Sequence, residues 1–360
     1  MKNKKILFIL HLPPPVHGAS MVGKYIHDSE VINNTFDCHY LNLALAKDLN
    51  DIGKGGMRKL KDFYKQLKQV RLLIKSIKPQ QCYVTPNAKG GAFYKDFLVV
   101  MLLKIMRQNV IVHYHNKGVA TRQNRCFDNL LYKMFFKNLK VILLSENLYQ
   151  DIKKYVKYKD VYICPNGIPI HENLPTVPQK EFNILFLSNM MKEKGVWDLL
   201  EACAKPIKCH FVGKWSDIKE EQFIDEINKR ELTEYVFAHG AKYGNEKDVF
   251  LQKTDVFVFP TYYNNECFPL VLLEAMEQGL PCISTNEGGI PSIIENEKTG
   301  YIIEKHSPQI IAEKIEYLME HPQQCANMGK AGRKKFLNEF TLDKFEARIK
   351  NILEDCIITA

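Results

Sequence analysis

The sequence has no pair of cysteines at C-x-x-C spacing and no Cys/His cluster at metal-ligand spacing, although ten cysteines are scattered through its 360 residues. Thiols placed singly argue against a disulfide framework and a zinc site, and point to a reduced, cytosolic compartment. There is no G-x-G-x-x-G run, which excludes the dinucleotide fingerprint. There is no Asp-x-Asp motif, so no metal site of that kind is expected. The apolar run from Phe97 to Leu103 is far too short to cross a bilayer. No solenoid repeat or low-complexity tract is visible. The start, Met1 to Leu10, joins a basic end to a short apolar run. His11 and three prolines cut that run without a small-residue cleavage site, so a buried first strand is expected there, not a signal peptide.

What is present is a chain longer than one core comfortably serves, so two domains are expected. Strand-like runs alternate with helical stretches, the pattern of parallel sheets covered on both faces. In the first half the runs are 5–10, 82–85, 110–114, 141–144 and 161–164. In the second they are 182–187, 209–212, 236–238, 256–259, 282–284 and 301–303. Between the halves, Pro169 to Pro178 holds three prolines in ten residues, which makes a stiff connector. The expected organisation is a first domain over 1–168, a linker over 169–181, a second domain over 182–338 and a C-terminal segment over 339–360, with a helix from Thr341 to Asp355. Charge is uneven between the halves. Residues 1–178 carry 28 Lys and Arg against 12 Asp and Glu, a net +16; the rest carries 22 against 29, a net −7. One half therefore faces a negative surface or substrate.

The stretch Thr261 to Met276 holds two glutamates, Glu266 and Glu274, with seven residues between them. Pro269 favours a helix start, so a helix from Pro269 to Gly279 is expected, with Glu266 in the loop ahead of it and Glu274 inside it. Phe268 then falls at the cap position and cannot cap. The N–H groups of Leu270 and Val271 are left for a ligand, and a helix N-terminus with spare donors suits phosphate. Two acids flanking it suit sugar hydroxyls. A phosphate between two hydroxyl-bearing rings is a nucleotide sugar.

The E-x7-E run, with Phe268 and Pro269 inside it and Ala275 and Met276 after it, resembles the signature of the family 4 retaining glycosyltransferases of the GT-B fold. Pro165 to Ile168 resembles that family's inter-domain turn. Leu187 to Gly195 resembles its phosphate-binding segment. Gly279 to Thr285 and Glu287 to Pro291 resemble the segments on the C-terminal side of its E-x7-E helix. The resemblance implies two Rossmann-like domains facing a cleft, the second binding the nucleotide sugar, with a C-terminal helix crossing back to the first. It implies transfer of a sugar, with retention and without a metal, from a nucleoside-diphosphate donor, most often UDP-linked, to a hydroxyl of a glycan acceptor in surface polysaccharide or lipopolysaccharide assembly. No cofactor beyond the nucleotide sugar is implied.

Residue by residue, the resemblance puts Lys194 on the donor diphosphate. It puts Glu274 on the ribose hydroxyls, and Glu266 on the donor sugar or on charge at its anomeric carbon. His115, at the end of the strand 110–114, matches a histidine that contacts the donor sugar; strand alternation puts His113 on the same face. Gly18 is the one glycine in the loop after the first strand. Asn189 stands where the family often has arginine, which removes a cation. Phe268, Pro269, Leu270 and Val271 complete the donor-binding set. Base recognition is expected near His239 to Tyr243. A nucleotide-sugar epimerase of the same fold, and an inactive nucleotide-binding subunit favoured by Asn189, are the alternatives.

A basic first half also raises nucleic acid, but no aromatic-interleaved basic motif is present, so none is expected. The segment from Lys54 to Lys78 instead carries an apolar stripe of Leu60, Phe63, Leu67, Val70, Ile74 and Ile77 at helical spacing, with lysines and Arg71 on the other faces. The stripe is expected to pack on the domain's sheet; the basic faces, with the +16 half opposite the −7 half, predict peripheral attachment to the anionic inner face of a membrane, with a lipid-linked glycan acceptor.

Overall fold

Apolar runs three to six residues long become most of the strands, because parallel strands buried on both faces have little room for polar side chains. The computed structural model describes residues 4–14, 17–43, 57–171 and 181–358. Much of the expected linker, 172–180, and the start of the basic segment, 54–56, lie outside them. The strands are β1 (Lys5–Leu10), β2 (Asp37–Asn42), β3 (Gln81–Val84), β4 (Val110–His113), β5 (Lys140–Leu143), β6 (Val161–Ile163), β7 (Asn183–Leu187), β8 (Lys208–Val212), β9 (Val236–Ala238), β10 (Val256–Phe259), β11 (Cys282–Thr285) and β12 (Gly300–Ile303). They form two six-stranded, wholly parallel sheets with helices between successive strands, an α/β architecture as expected.

The chain divides into two units: Met1–Asn166 with Leu342–Ala360, and Gly167–Thr341. In the first, the sheet order is β2-β1-β3-β4-β5-β6. All but the first residue of β1 are buried, and β3 and β4 are buried along their whole length. The C-terminal helix, Leu342–Ile358, packs in this unit beside the helix Glu30–Thr35. It is also tied to the sheet side: Tyr162 donates its hydroxyl to the Asp355 carboxylate, and the Asn109 side chain donates to the Cys356 carbonyl at 3.4 Å.

In the second unit the order is β12-β11-β10-β7-β8-β9. The chain leaves β7 toward β8 on one side and later returns to β10 on the other. That makes the β7/β10 gap the topological switch point, where open parallel sheets bind ligands outside the carboxyl ends of their strands. Where the chain enters and leaves this unit, the Ile168 N–H donates to the Phe340 carbonyl at 3.0 Å and Ile168 bridges Thr341.

Candidate functional site in the second unit

After β7 the chain turns over Lys192–Lys194 and enters the helix Val196–Ala202 through Gly195. Gly195 has φ +80, and a Cβ there would lie 2.2 Å from the Pro260 carbonyl oxygen, just past β10. Only glycine satisfies both demands. The turn can therefore press against the end of β10, where the Tyr262 N–H donates to the Glu193 carbonyl at 2.8 Å and the Thr261 hydroxyl reaches the same oxygen at 3.3 Å. Lys194 is thereby aimed across the switch point. Its ammonium pairs directly with the Glu266 carboxylate, and lies 4.5 Å from the Tyr263 ring centroid and 5.4 Å from that of Phe259. The two side chains are only 13% and 12% exposed.

A Gly195→Ala substitution is expected to destabilise the second unit by at least ~2 kcal/mol, from the left-handed backbone and the carbonyl clash together. Chemical denaturation checks this. A loss under ~0.5 kcal/mol would mean that the turn is not held against β10.

Glu266 is fixed from behind. Gly288 has φ +57, and a Cβ there would stand 2.3 Å from the Glu266 carbonyl oxygen; the Gly289 N–H donates to the Cys267 carbonyl at 2.6 Å. The Glu287-Gly288-Gly289 stretch thus clamps the loop carrying Glu266. The helix after it runs Leu270–Glu277, one residue shorter at its start and two shorter at its end than expected. Pro269 is its cap residue rather than its first turn: φ is −68 but ψ is 121, because the ring fixes φ and leaves ψ free. No side chain caps this helix. Phe268 is buried against Phe340, ring centroids 5.6 Å apart, so its side chain belongs to the core.

Glu274 is held at one oxygen only. Lys247, on the helix Asn245–Gln252, reaches Oε1 at 2.7 Å, while Oε2 is buried and makes no hydrogen bond. Burial raises its pKa above the ordinary carboxylate value, with Lys247 opposing the shift. An unpaired buried carboxylate oxygen costs free energy unless a donor arrives. Glu277, one turn further, is a contrast: it is buried and anchors His171, whose Nδ1 lies 2.9 Å from Oε2, while Arg333 donates to its carbonyl. It is structural. Asn189 is exposed, and its carbonyl accepts from the Met191 N–H at 2.8 Å. In the region expected to recognise a base, the His239 and His210 rings meet at 3.0 Å, and Tyr243 is exposed.

The first unit holds the remaining residues. His115 lies two residues past β4, its ring 4.2 Å from that of His113. His113 is fully buried and meets the Tyr83 hydroxyl at 2.5 Å, as a core residue does. Both ring nitrogens of His115 are buried without a hydrogen bond. Burial, reinforced by His11 and His17, lowers its pKa to about 3, so the ring is neutral at physiological pH. Gly18 opens the helix Gly18–Asp28, behind a capping box made by His17 and Ser20. It is exposed, and a Cβ there would touch nothing. The glycine that the fold requires in this segment is Gly23, where a Cβ would stand 2.0 Å from the His11 carbonyl oxygen. The structure thus brings Lys194 and Glu266 together at one switch point. It adds two residues that the sequence did not single out, Tyr263 and Lys247. Neither stands in a pattern that could have revealed it.

Residues 171–335 match the family model described as glycosyl transferases group 1. Over 166 residues the chain is 31% identical to the capsular polysaccharide biosynthesis glycosyltransferase CapM of Staphylococcus aureus, covering 44% of this chain and 42% of that one. Over 186 residues it is 28% identical to the N-acetyl-alpha-D-glucosaminyl L-malate synthase of Bacillus anthracis, covering 50% and 47%. The chain therefore spans less than half the length of these two curated relatives. In fold it is similar to HepE of Anabaena, whose structure was solved in complex with UDP-glucose: TM-score 0.74 at 16% identity, covering 98% of this chain and 99% of that one.

Proposed function

We propose that this chain is a glycosyltransferase that moves a sugar from a nucleoside-diphosphate sugar to a hydroxyl of a glycan acceptor in surface-polysaccharide assembly. The observation that carries the reading is the cluster at the β7/β10 switch point: a lysine and two glutamates around a helix N-terminus that no side chain caps. The family match over 171–335 and the capsular relative support it. A UDP-linked donor is the preferred class, supported by the UDP-glucose bound to the HepE neighbour.

In this reading the donor diphosphate takes Lys194 from Glu266, with the N–H groups of Leu270 and Val271 at its other side. An ammonium and a helix N-terminus neutralise charge as it grows on the leaving phosphate. Glu266, freed from its lysine, accepts hydrogen bonds from donor-sugar hydroxyls. The unpaired Oε2 of Glu274 accepts from the ribose. His115 acts as a neutral hydrogen-bond partner for a substrate hydroxyl. The departing phosphate oxygen takes the acceptor's proton, so front-face displacement needs no separate base and retains the anomeric configuration. No metal enters the reaction.

The test is the anomeric configuration of the product, read by NMR with EDTA present throughout. The donor's configuration is expected. An inverted product, or activity lost in EDTA and restored by magnesium, would overturn the mechanism. Binding of donor without transfer or slow hydrolysis would favour an inactive nucleotide-binding subunit instead.

A further inference from the structure

Of the fifteen large apolar side chains exposed among the described residues, seven lie on three helices of the first unit. Phe127, Leu130 and Met134 recur at i, i+3 and i+7 on the helix Cys126–Phe136, and so share one outward face. Leu98 and Ile105 do the same at i and i+7 on the helix Gly90–Ile105. Ile105 is 75% exposed and Phe127 63%. The helix Met57–Ile77 adds Tyr64 and Leu72.

The topology puts these helices side by side. They join β2 to β3, β3 to β4 and β4 to β5, and each step crosses the sheet in the same direction. Right-handed crossovers then lay all three on one face of the sheet. The first helix packs on the second, and the second on the third. Lys104 locks the last pair: its ammonium donates to the carbonyls of Met134 at 2.9 Å and Lys137 at 2.7 Å, at the C-terminal end of the third helix.

Charge on this stretch has one sign. Between Phe63 and Ser145 the sequence holds fifteen Lys and Arg but only two acids, Asp96 and Asp128, and both are buried. Arg125, Lys133 and Lys137 are exposed on or beside the Phe127 helix. A second copy of the chain would set cations against cations. Nucleic acid would use the cations but leave exposed isoleucine and leucine unexplained, since bases stack on aromatic rings. A bilayer with anionic headgroups takes both: apolar side chains at the acyl boundary, and Lys and Arg at the lipid phosphates.

We propose that the outer face of these three helices is the docking surface for an anionic membrane, with Phe127, Leu130 and Ile105 inserting and Arg125, Lys133 and Lys137 meeting headgroups. This extends the attachment expected from the 54–78 segment to two further helices, and it does not depend on the donor-site reading, because none of these residues belongs to that site. Co-sedimentation with phosphatidylglycerol-rich and pure phosphatidylcholine vesicles tests it. The wild-type chain is expected to bind the anionic vesicles alone and to be partly released by salt. The variant Phe127→Ser/Leu130→Ser/Ile105→Ser, and separately Arg125→Glu/Lys133→Glu, should each weaken binding at least tenfold, at about fivefold per basic residue. Both should keep the wild-type melting curve. Equal binding to the two vesicle types would overturn the proposal. So would a serine variant that binds as well as wild type, or retention on a soluble polyanion without retention on vesicles.

Discussion

Replacing Lys194 with methionine is expected to lower donor turnover by ten- to a hundredfold or more, since a charge-assisted hydrogen bond is worth roughly 1.5–3 kcal/mol. The same change is expected to cost stability, because it leaves the nearly buried Glu266 carboxylate without its partner. That penalty is about 1–3 kcal/mol. The double variant Lys194→Met/Glu266→Gln removes both charges. It should recover stability to within about 1 kcal/mol of wild type, because two neutral groups need no ion pair, while staying inactive. Urea melts and turnover on the three proteins read the two effects separately. If the double variant regains both stability and turnover, the pair is structural and the reaction lies elsewhere.

The second large effect belongs to Glu274. Glu274→Gln is expected to weaken donor binding ten- to a hundredfold, again from one charge-assisted contact. Its pH dependence carries a signature. The carboxyl's folded pKa is raised by burial, so in wild type the group loses its charge, and donor affinity falls, as pH drops through that raised value. The stability sign is opposite. A folded pKa above the unfolded one means that the native state binds more protons between the two values, so this group favours folding as pH falls through the same window. Affinity and the Glu274 contribution to stability therefore move in opposite directions on acidification. Both trends should be absent from Glu274→Gln and remain in the difference between wild type and the variant. Titration calorimetry and denaturation across that pH range measure them. Parallel loss of affinity in both proteins would assign the titration to another group.

Eleven of the twelve strands among the described residues are legible in the sequence as short apolar runs, most of them because a parallel strand buried on both faces carries few polar side chains. β2 is not legible. It is an edge strand, Asp37-Cys-His-Tyr-Leu-Asn42, in which only Leu41 is buried, so no apolar run marks it. The positions of Lys194, Glu266 and Glu274 are legible from loop, proline and strand order. Their partners are not. Lys194 meets Glu266 because β7 and β10 are neighbours in the sheet, and Lys247 reaches Glu274 from a different helix, 27 residues earlier in the chain. No local pattern encodes either pairing. The ring of Phe268 meets Phe340 in the core, another pairing of residues far apart in the chain that no local pattern encodes. Gly18 and Gly23 look equivalent in sequence, and only the approach of the His11 carbonyl separates them.

The most direct test of the account is a thermal-unfolding titration of the chain with UDP and UDP-sugars, run in parallel on Lys194→Met. Ligand at a hundred times its Kd should stabilise the wild-type chain by about 2.7 kcal/mol. At the same concentration the variant should gain far less, since its Kd is at least tenfold weaker. No stabilisation by any nucleoside diphosphate or its sugar, or equal stabilisation of both proteins, would contradict a donor site built on Lys194, Glu266 and Glu274.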